Sequence, residues 1–101
     1  MGGIHSIIVA MWKLIPTGQF KKDLKRYRNK PEKLASLKSV LDLLKENGEV
    51  PHEYDPHMLK SNYKGFMECH VENDFLLIWR DVNTQTISLV RAGTHSELFK
   101  K

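Results

Sequence analysis

Near its middle this chain changes the spacing of its apolar residues from a helical period to a strand period. That switch limits the folds open to it. Leu34, Leu37, Leu41 and Leu44 recur at intervals of three and four, which puts them on one helix face. Asn47-Gly48 ends the pattern. Residues 63–71, 75–80 and 86–92 then read as strands, with a turn at 81–85. In the first strand Phe66, Glu68 and His70 face one way and Met67, Cys69 and Val71 the other, the second set being the expected core face. Residues 75–79 are apolar on both faces, as suits a central strand.

Upstream, residues 12–16 read as a short strand stopped by Pro16. Thr17 is a candidate N-cap for a helix through about Arg28, whose Phe20, Leu24 and Tyr27 share a face. Pro31 is tolerated in the first turn of the second helix. Pro51 and Pro56 mark residues 49–62 as an ordered or semi-ordered loop, and after Gly93 comes a terminal stub, residues 94–101, with room for one helical turn. The expected fold is α+β in the order β-α-α-β-β-β, two helices packed on a small, mostly antiparallel sheet. Residues 11–101 make one domain, and residues 1–10, glycine-containing and without charge, read as an extension or a disordered segment. Twenty-eight Leu, Ile, Val and Phe residues supply a single core. No apolar run approaches the roughly 18 residues that span a bilayer. One cysteine, Cys69, excludes an internal disulfide and favours a reducing compartment.

Charge is concentrated. Residues 21–38 carry Lys21, Lys22, Lys25, Arg26, Arg28, Lys30, Lys33 and Lys38 against Asp23 and Glu32, a local excess of 8 − 2 = +6 in a chain of net +4. Such a field favours a polyanion, although a solvated helix face is the bland alternative.

The chemistry-bearing residues are His57 in the loop, His70 late in a strand, Asp74 just beyond it and His95 near the end. They converge only if the strands form a meander. Histidine both accepts and donates protons near neutrality, because its unperturbed pKa is about 6.5. Several imidazoles beside a basic surface suit phosphodiester cleavage: one takes a proton from the attacking hydroxyl and another protonates the departing oxygen. Metal binding competes weakly, since no Cys-x-x-Cys pair or His-Glu-x-x-His helix is present. Cys69 faces the core and makes a poor nucleophile.

From Trp12 to Phe99 the chain resembles the RelE/ParE superfamily of type II toxins, most closely its YafQ-type mRNA interferase branch. The resemblance rests on His57-Met58-Leu59, Tyr63-Lys64-Gly65, the run from Glu68 to Asp74, Leu76-Leu77-Ile78-Trp79 and the run from Arg91 to Phe99. It implies a bacterial cytoplasmic endoribonuclease that cuts messenger RNA in the ribosomal A site without a metal. By position, His57, His70, Asp74, His95 and Phe99 match the family's catalytic set, and Arg91 matches a cation near the phosphate. Lys60 and Lys64 are further candidates for phosphate contact. His95 and Phe99, four apart, share one side of a helical turn, so the ring could stack on a base; the alternative is an apolar plug under the last strand. The basic residues Lys21, Lys22, Lys25, Arg26 and Arg28 become candidates for ribosomal RNA. Implied partners are a cognate antitoxin, the ribosome and its message, with operator DNA reached only through the antitoxin. Ser61, Tyr63, Met67, Asn73 and Trp79 depart from the usual family residues. A catalytically silent co-repressor that only binds antitoxin is the alternative of a different class, and a plain single-stranded RNA-binding module ranks last.

Overall fold

A computed structural model describes residues 11–60 and 65–99, with Asn83 described in its backbone alone. The proposed terminal extension 1–10 and Lys64 therefore lie outside the described residues. Strand β1 (Lys13–Pro16) leads into helix α1 (Gly18–Lys25). Thr17 caps α1: its hydroxyl oxygen accepts the Phe20 N–H at 3.1 Å, an interaction worth ~1 kcal/mol. The same hydroxyl donates to the Val90 carbonyl at 3.2 Å and pins the helix start to a distant strand.

Helix α1 stops three residues before the Arg28 expected. The N–H groups of Arg26, Tyr27 and Arg28 donate to carbonyls three residues back, at 3.1, 2.9 and 3.4 Å, so the end tightens into turns. Tyr27 keeps its place on the buried face. Helix α2 (Pro31–Asn47) opens on its proline and closes on Gly48, whose φ of 74° is the left-handed cap. A Cβ at Gly48 would come within 2.5 Å of the Trp12 ring, so the same glycine also lets β1 approach. The buried stripe of α2 is Leu37, Val40 and Leu44, with Leu34 and Leu41 packed at its margin.

The predicted loop 49–62 contains structure. A single 3-10 turn (His52–Tyr54) precedes a two-residue strand, β2 (His57–Met58). Two residues are too short for alternation to announce, and only pairing with β3 (Met67–Glu72) reveals the element. Strand β4 (Phe75–Asn83) absorbs most of the expected 81–85 turn, because Asp81 and Asn83 pair with Ile87 and Thr86 of β5 (Thr86–Gly93). The turn contracts to Thr84-Gln85, where Gln85 takes φ 51°. The stub is one short helix, α3 (His95–Phe99).

The sheet order is β1-β5-β4-β3-β2, antiparallel throughout except for the parallel pair β1 and β5. Both helices cover one face over a core that includes Phe20, Leu44, Cys69, Phe75 and Trp79. Met67, Cys69 and Val71 lie on that side, as alternation predicts. The other face carries a smaller cluster of Leu76, Ile78 and Leu98, flanked by Leu59, Phe66 and Val90.

Candidate active site

Leu76 of β4 is the rung on which the site is built. Across one side of it stands His70 of β3, and across the other Gly93 of β5, two residues before His95. On β2, His57 pairs with Glu68, two residues before His70 on the same face. The sheet thus draws residues 57, 70 and 95 into one row. Ring centroids are 6.3 Å apart for His57 and His70, 5.9 Å for His70 and His95, and 6.3 Å for His95 and Phe99.

Asp74 fixes one end of the row. Its Oδ1 lies 2.9 Å from the His95 backbone N–H and 2.7 Å from His95 Nδ1. These two bonds from His95, the backbone one first, hold the exposed Asp74 carboxyl below its ordinary value. As the Nδ1 proton points to a carboxylate, Nε2 is the nitrogen presented for chemistry.

Helix α3 is short, so its neighbours hold it. Thr94 and Glu97 form a reciprocal capping box: the Glu97 N–H donates to Thr94 Oγ1 at 3.1 Å, and the Thr94 N–H donates to Glu97 Oε1 at 2.9 Å. The Tyr27 hydroxyl donates to the same Oε1 at 2.6 Å, tying α3 to the turn after α1. A side chain at Gly93 would put its Cβ 2.7 Å from that oxygen. Leu98 takes the buried place under the sheet, so the apolar plug is Leu98, and Phe99 stands half-exposed beside His95.

Arg91 is held from the helix side. Its Nε and Nη2 donate to the two oxygens of Asp23, at 2.8 and 3.1 Å, joining β5 to α1. Lys21, Lys22, Lys25, Arg26 and Arg28 are all exposed, with Arg26 3.6 Å from both Asp23 and Glu97. Lys60 is exposed beyond β2. Cys69 is fully buried, and burial first, then the Glu68 charge, pushes its thiol up to about 12. It is no nucleophile. Among the described residues no group of three or more His, Cys, Asp or Glu side chains could hold a metal ion. A depression of about 350 Å³ opens beside His70, walled by Glu53, Tyr54 and Asp55.

Sequence reasoning gave no role to Glu68, Asp23 or Glu97. Glu68 is buried with one oxygen 2.9 Å from His57 Nε2. The available signal was a carboxylate on the His70 face of a core strand. Asp23 is fully buried, and its signal was a charge between Phe20 and Leu24 on an apolar stripe. Glu97 was legible as the fourth residue of a Thr-x-x-Glu box.

Four carboxyls are held below their ordinary values. Burial raises Asp23, but bonds from Arg91, Ala92 and Gln19 outweigh it; burial likewise raises Glu97, but Tyr27, Thr94 and Arg26 prevail. Lys33 and Ser36 lower Glu72, and His95 lowers Asp74. Such a group stabilises the fold fully above its unfolded value, about 4, and loses that contribution as pH falls through the folded one. The melting temperature is therefore expected to fall steadily from pH 5 to pH 3 in a thermal scan. A protein that melts higher at pH 3.5 than at pH 6 would contradict these assignments.

A small α+β fold with a histidine row beside one sheet face sets the class, and the YoeB/ParE toxin from Agrobacterium tumefaciens shares that fold at 14% identity and a TM-score of 0.70, over 82% of this chain and 98% of that one. Residues 12–100 match the family model described as bacterial toxin of type II toxin-antitoxin system, YafQ, and the chain belongs to that family. It is 36% identical over 84 residues to the mRNA interferase toxin YafQ of Escherichia coli strain B / BL21-DE3, covering 82% of this chain and 90% of that protein. YafQ in the E. coli DinJ-YafQ complex superimposes with a TM-score of 0.75 at 34% identity, over 87% of this chain and 98% of that one. A metal-bound toxin from Helicobacter pylori gives a TM-score of 0.77 at 36% identity, over 88% of this chain and all (100%) of its own. Among the described residues no helix is long and apolar enough to cross a membrane.

Proposed function

We propose that this toxin is a cytoplasmic endoribonuclease that cuts messenger RNA on the translating ribosome by attack of a ribose 2′-hydroxyl on its own phosphate. The observation that carries this reading is the row of three imidazoles about 6 Å apart, one of them locked by a carboxylate and flanked by an exposed phenylalanine. His70, central in the row, takes the 2′-hydroxyl proton. The 2′-oxygen bonds to phosphorus as the bond to the 5′-oxygen breaks. His95 Nε2 protonates that oxygen, leaving a 2′,3′-cyclic phosphate and a 5′-hydroxyl end. Asp74 orients His95 rather than acting as base, since its Oδ1 already accepts two hydrogens. Phe99 stacks on a base and holds the nucleotide for in-line attack. His57 supplies positive charge to the crowded phosphate, with Arg91, anchored on Asp23, as a second fixed cation. Lys60 and Lys64 contact the RNA backbone, and the exposed cations of α1 meet ribosomal RNA.

The relative seated with DinJ supports a cognate antitoxin as this toxin's partner. Operator DNA is reached only through that antitoxin. Acid, base and cation all come from side chains in this scheme, and the 2′-hydroxyl makes RNA the obligatory substrate. A message carrying one deoxyribose at the cut position of the A-site codon tests it. Cleavage there should disappear while the all-ribose message yields 5′-hydroxyl ends. Continued scission at the deoxyribose overturns the reading.

A further inference from the structure

The geometry points to Glu68 as a positioning residue that keeps His57 doubly protonated, so that His57 serves as a fixed cation and takes no part in proton transfer. This rests on the ribonuclease reading above and assigns the division of labour within that site. His57 Nδ1 lies 2.9 Å from the Asp55 carbonyl oxygen, which has no proton to give, so Nδ1 must carry one. His57 Nε2 lies 2.9 Å from Glu68 Oε1, a contact that needs a second proton between nitrogen and oxygen. In that contact the ring N–H is the donor and the carboxylate oxygen the acceptor, which places the proton on the ring. The ring is 42% exposed and its charge is solvated on one side, whereas the Glu68 side chain is 5% exposed.

Glu68 is a poor choice for stability alone. Its Oε2 is buried without a hydrogen-bond partner among the described residues, and an orphaned buried carboxylate oxygen is costly. On the opposite side of the strand the Cys69 thiol stays un-ionised, so it neither competes for the His57 proton nor cancels it. The other charged neighbours of His57 are Asp55, whose carboxylate reaches toward His70 at 4.0 Å, and His70 itself. With both His57 nitrogens committed as donors, proton acceptance falls to His70 and proton donation to His95. The cost of burying Glu68 is thereby exchanged for a cation that does not depend on a free proton at the moment of reaction.

The test is E68Q. The amide keeps the volume and can donate to a proton-free His57 Nε2, so the contact survives while the ring loses its charge. Nitrogen-15 NMR of labelled histidine is expected to show both His57 nitrogens protonated in the wild type and Nε2 proton-free in E68Q. Single-turnover cleavage on programmed ribosomes should fall about 100-fold in E68Q, with KM little changed. H57Q/E68Q should be no slower than H57Q, because Glu68 acts only through His57. A proton-free Nε2 in the wild type, wild-type speed in E68Q, or additive losses in the double variant each overturn the assignment. Wild-type protein that leaves the message intact while the ring is doubly protonated refutes the ribonuclease reading and not the pair.

Discussion

Replacing His95 by alanine is expected to slow cleavage about 10²–10⁴-fold, the usual contribution of a positioned general acid. The side chain is 56% exposed and supports no core, so the folded protein should survive the change intact. Its chemistry depends on Asp74, which accepts both the backbone N–H and the Nδ1 proton of His95. Asp74→Asn preserves an oxygen for both bonds and removes only the charge that steadies the imidazolium. Asp74→Ala removes the acceptor altogether, freeing the ring and uncapping the start of α3. The expected order of rates is wild type, then Asp74→Asn, then Asp74→Ala, then His95→Ala. It is read from the appearance of 5′-hydroxyl ends on programmed ribosomes, with melting curves recorded alongside. A His95→Ala protein within a few fold of wild type would remove His95 from the reaction.

The elements that carry this site differ in how plainly the sequence announces them. Alternation in β3 puts His70 opposite the core face, because Met67, Cys69 and Val71 are apolar and the residues between them are not. The Thr94-x-x-Glu97 box and the four-residue step from His95 to Phe99 are likewise local, and both describe α3 as it stands. His57 is a different matter. Its place depends on β2, an element of two residues whose existence rests on pairing with Glu68 and Met67 rather than on any pattern of its own. The buried partnership of Glu68 follows from that pairing and was invisible for the same reason. Arg91 illustrates the limit most clearly: nothing near it in the chain suggests Asp23, 68 residues earlier. Asp23 stands out as a charge on the apolar stripe of α1, but a pair that meets through tertiary packing of a helix on a strand leaves nothing in either segment to say which cation that charge meets.

That pair sets the largest stability effect expected in the molecule. Asp23 is completely buried, and its two oxygens accept Arg91 Nε at 2.8 Å, Arg91 Nη2 at 3.1 Å and the Ala92 N–H at 3.0 Å. Asp23→Ala leaves a mostly buried guanidinium without its carboxylate and a buried N–H without its acceptor. Breaking such a pair from one side costs about 3–5 kcal/mol. For a domain of this size each kcal/mol moves the melting temperature by about 4–8 °C, so a loss of at least 12 °C is expected by calorimetry. A drop below 4 °C would show the pair to be ornamental. Asp23→Leu with Arg91→Met replaces both charges by apolar volume and should recover most of the stability, since desolvation offsets much of an ion pair's attraction. Cleavage should not recover with it. If Arg91 serves the phosphate as a fixed cation, the double variant folds well and cuts about tenfold more slowly than wild type. Full activity in that protein would reduce Arg91 to a tie between β5 and α1.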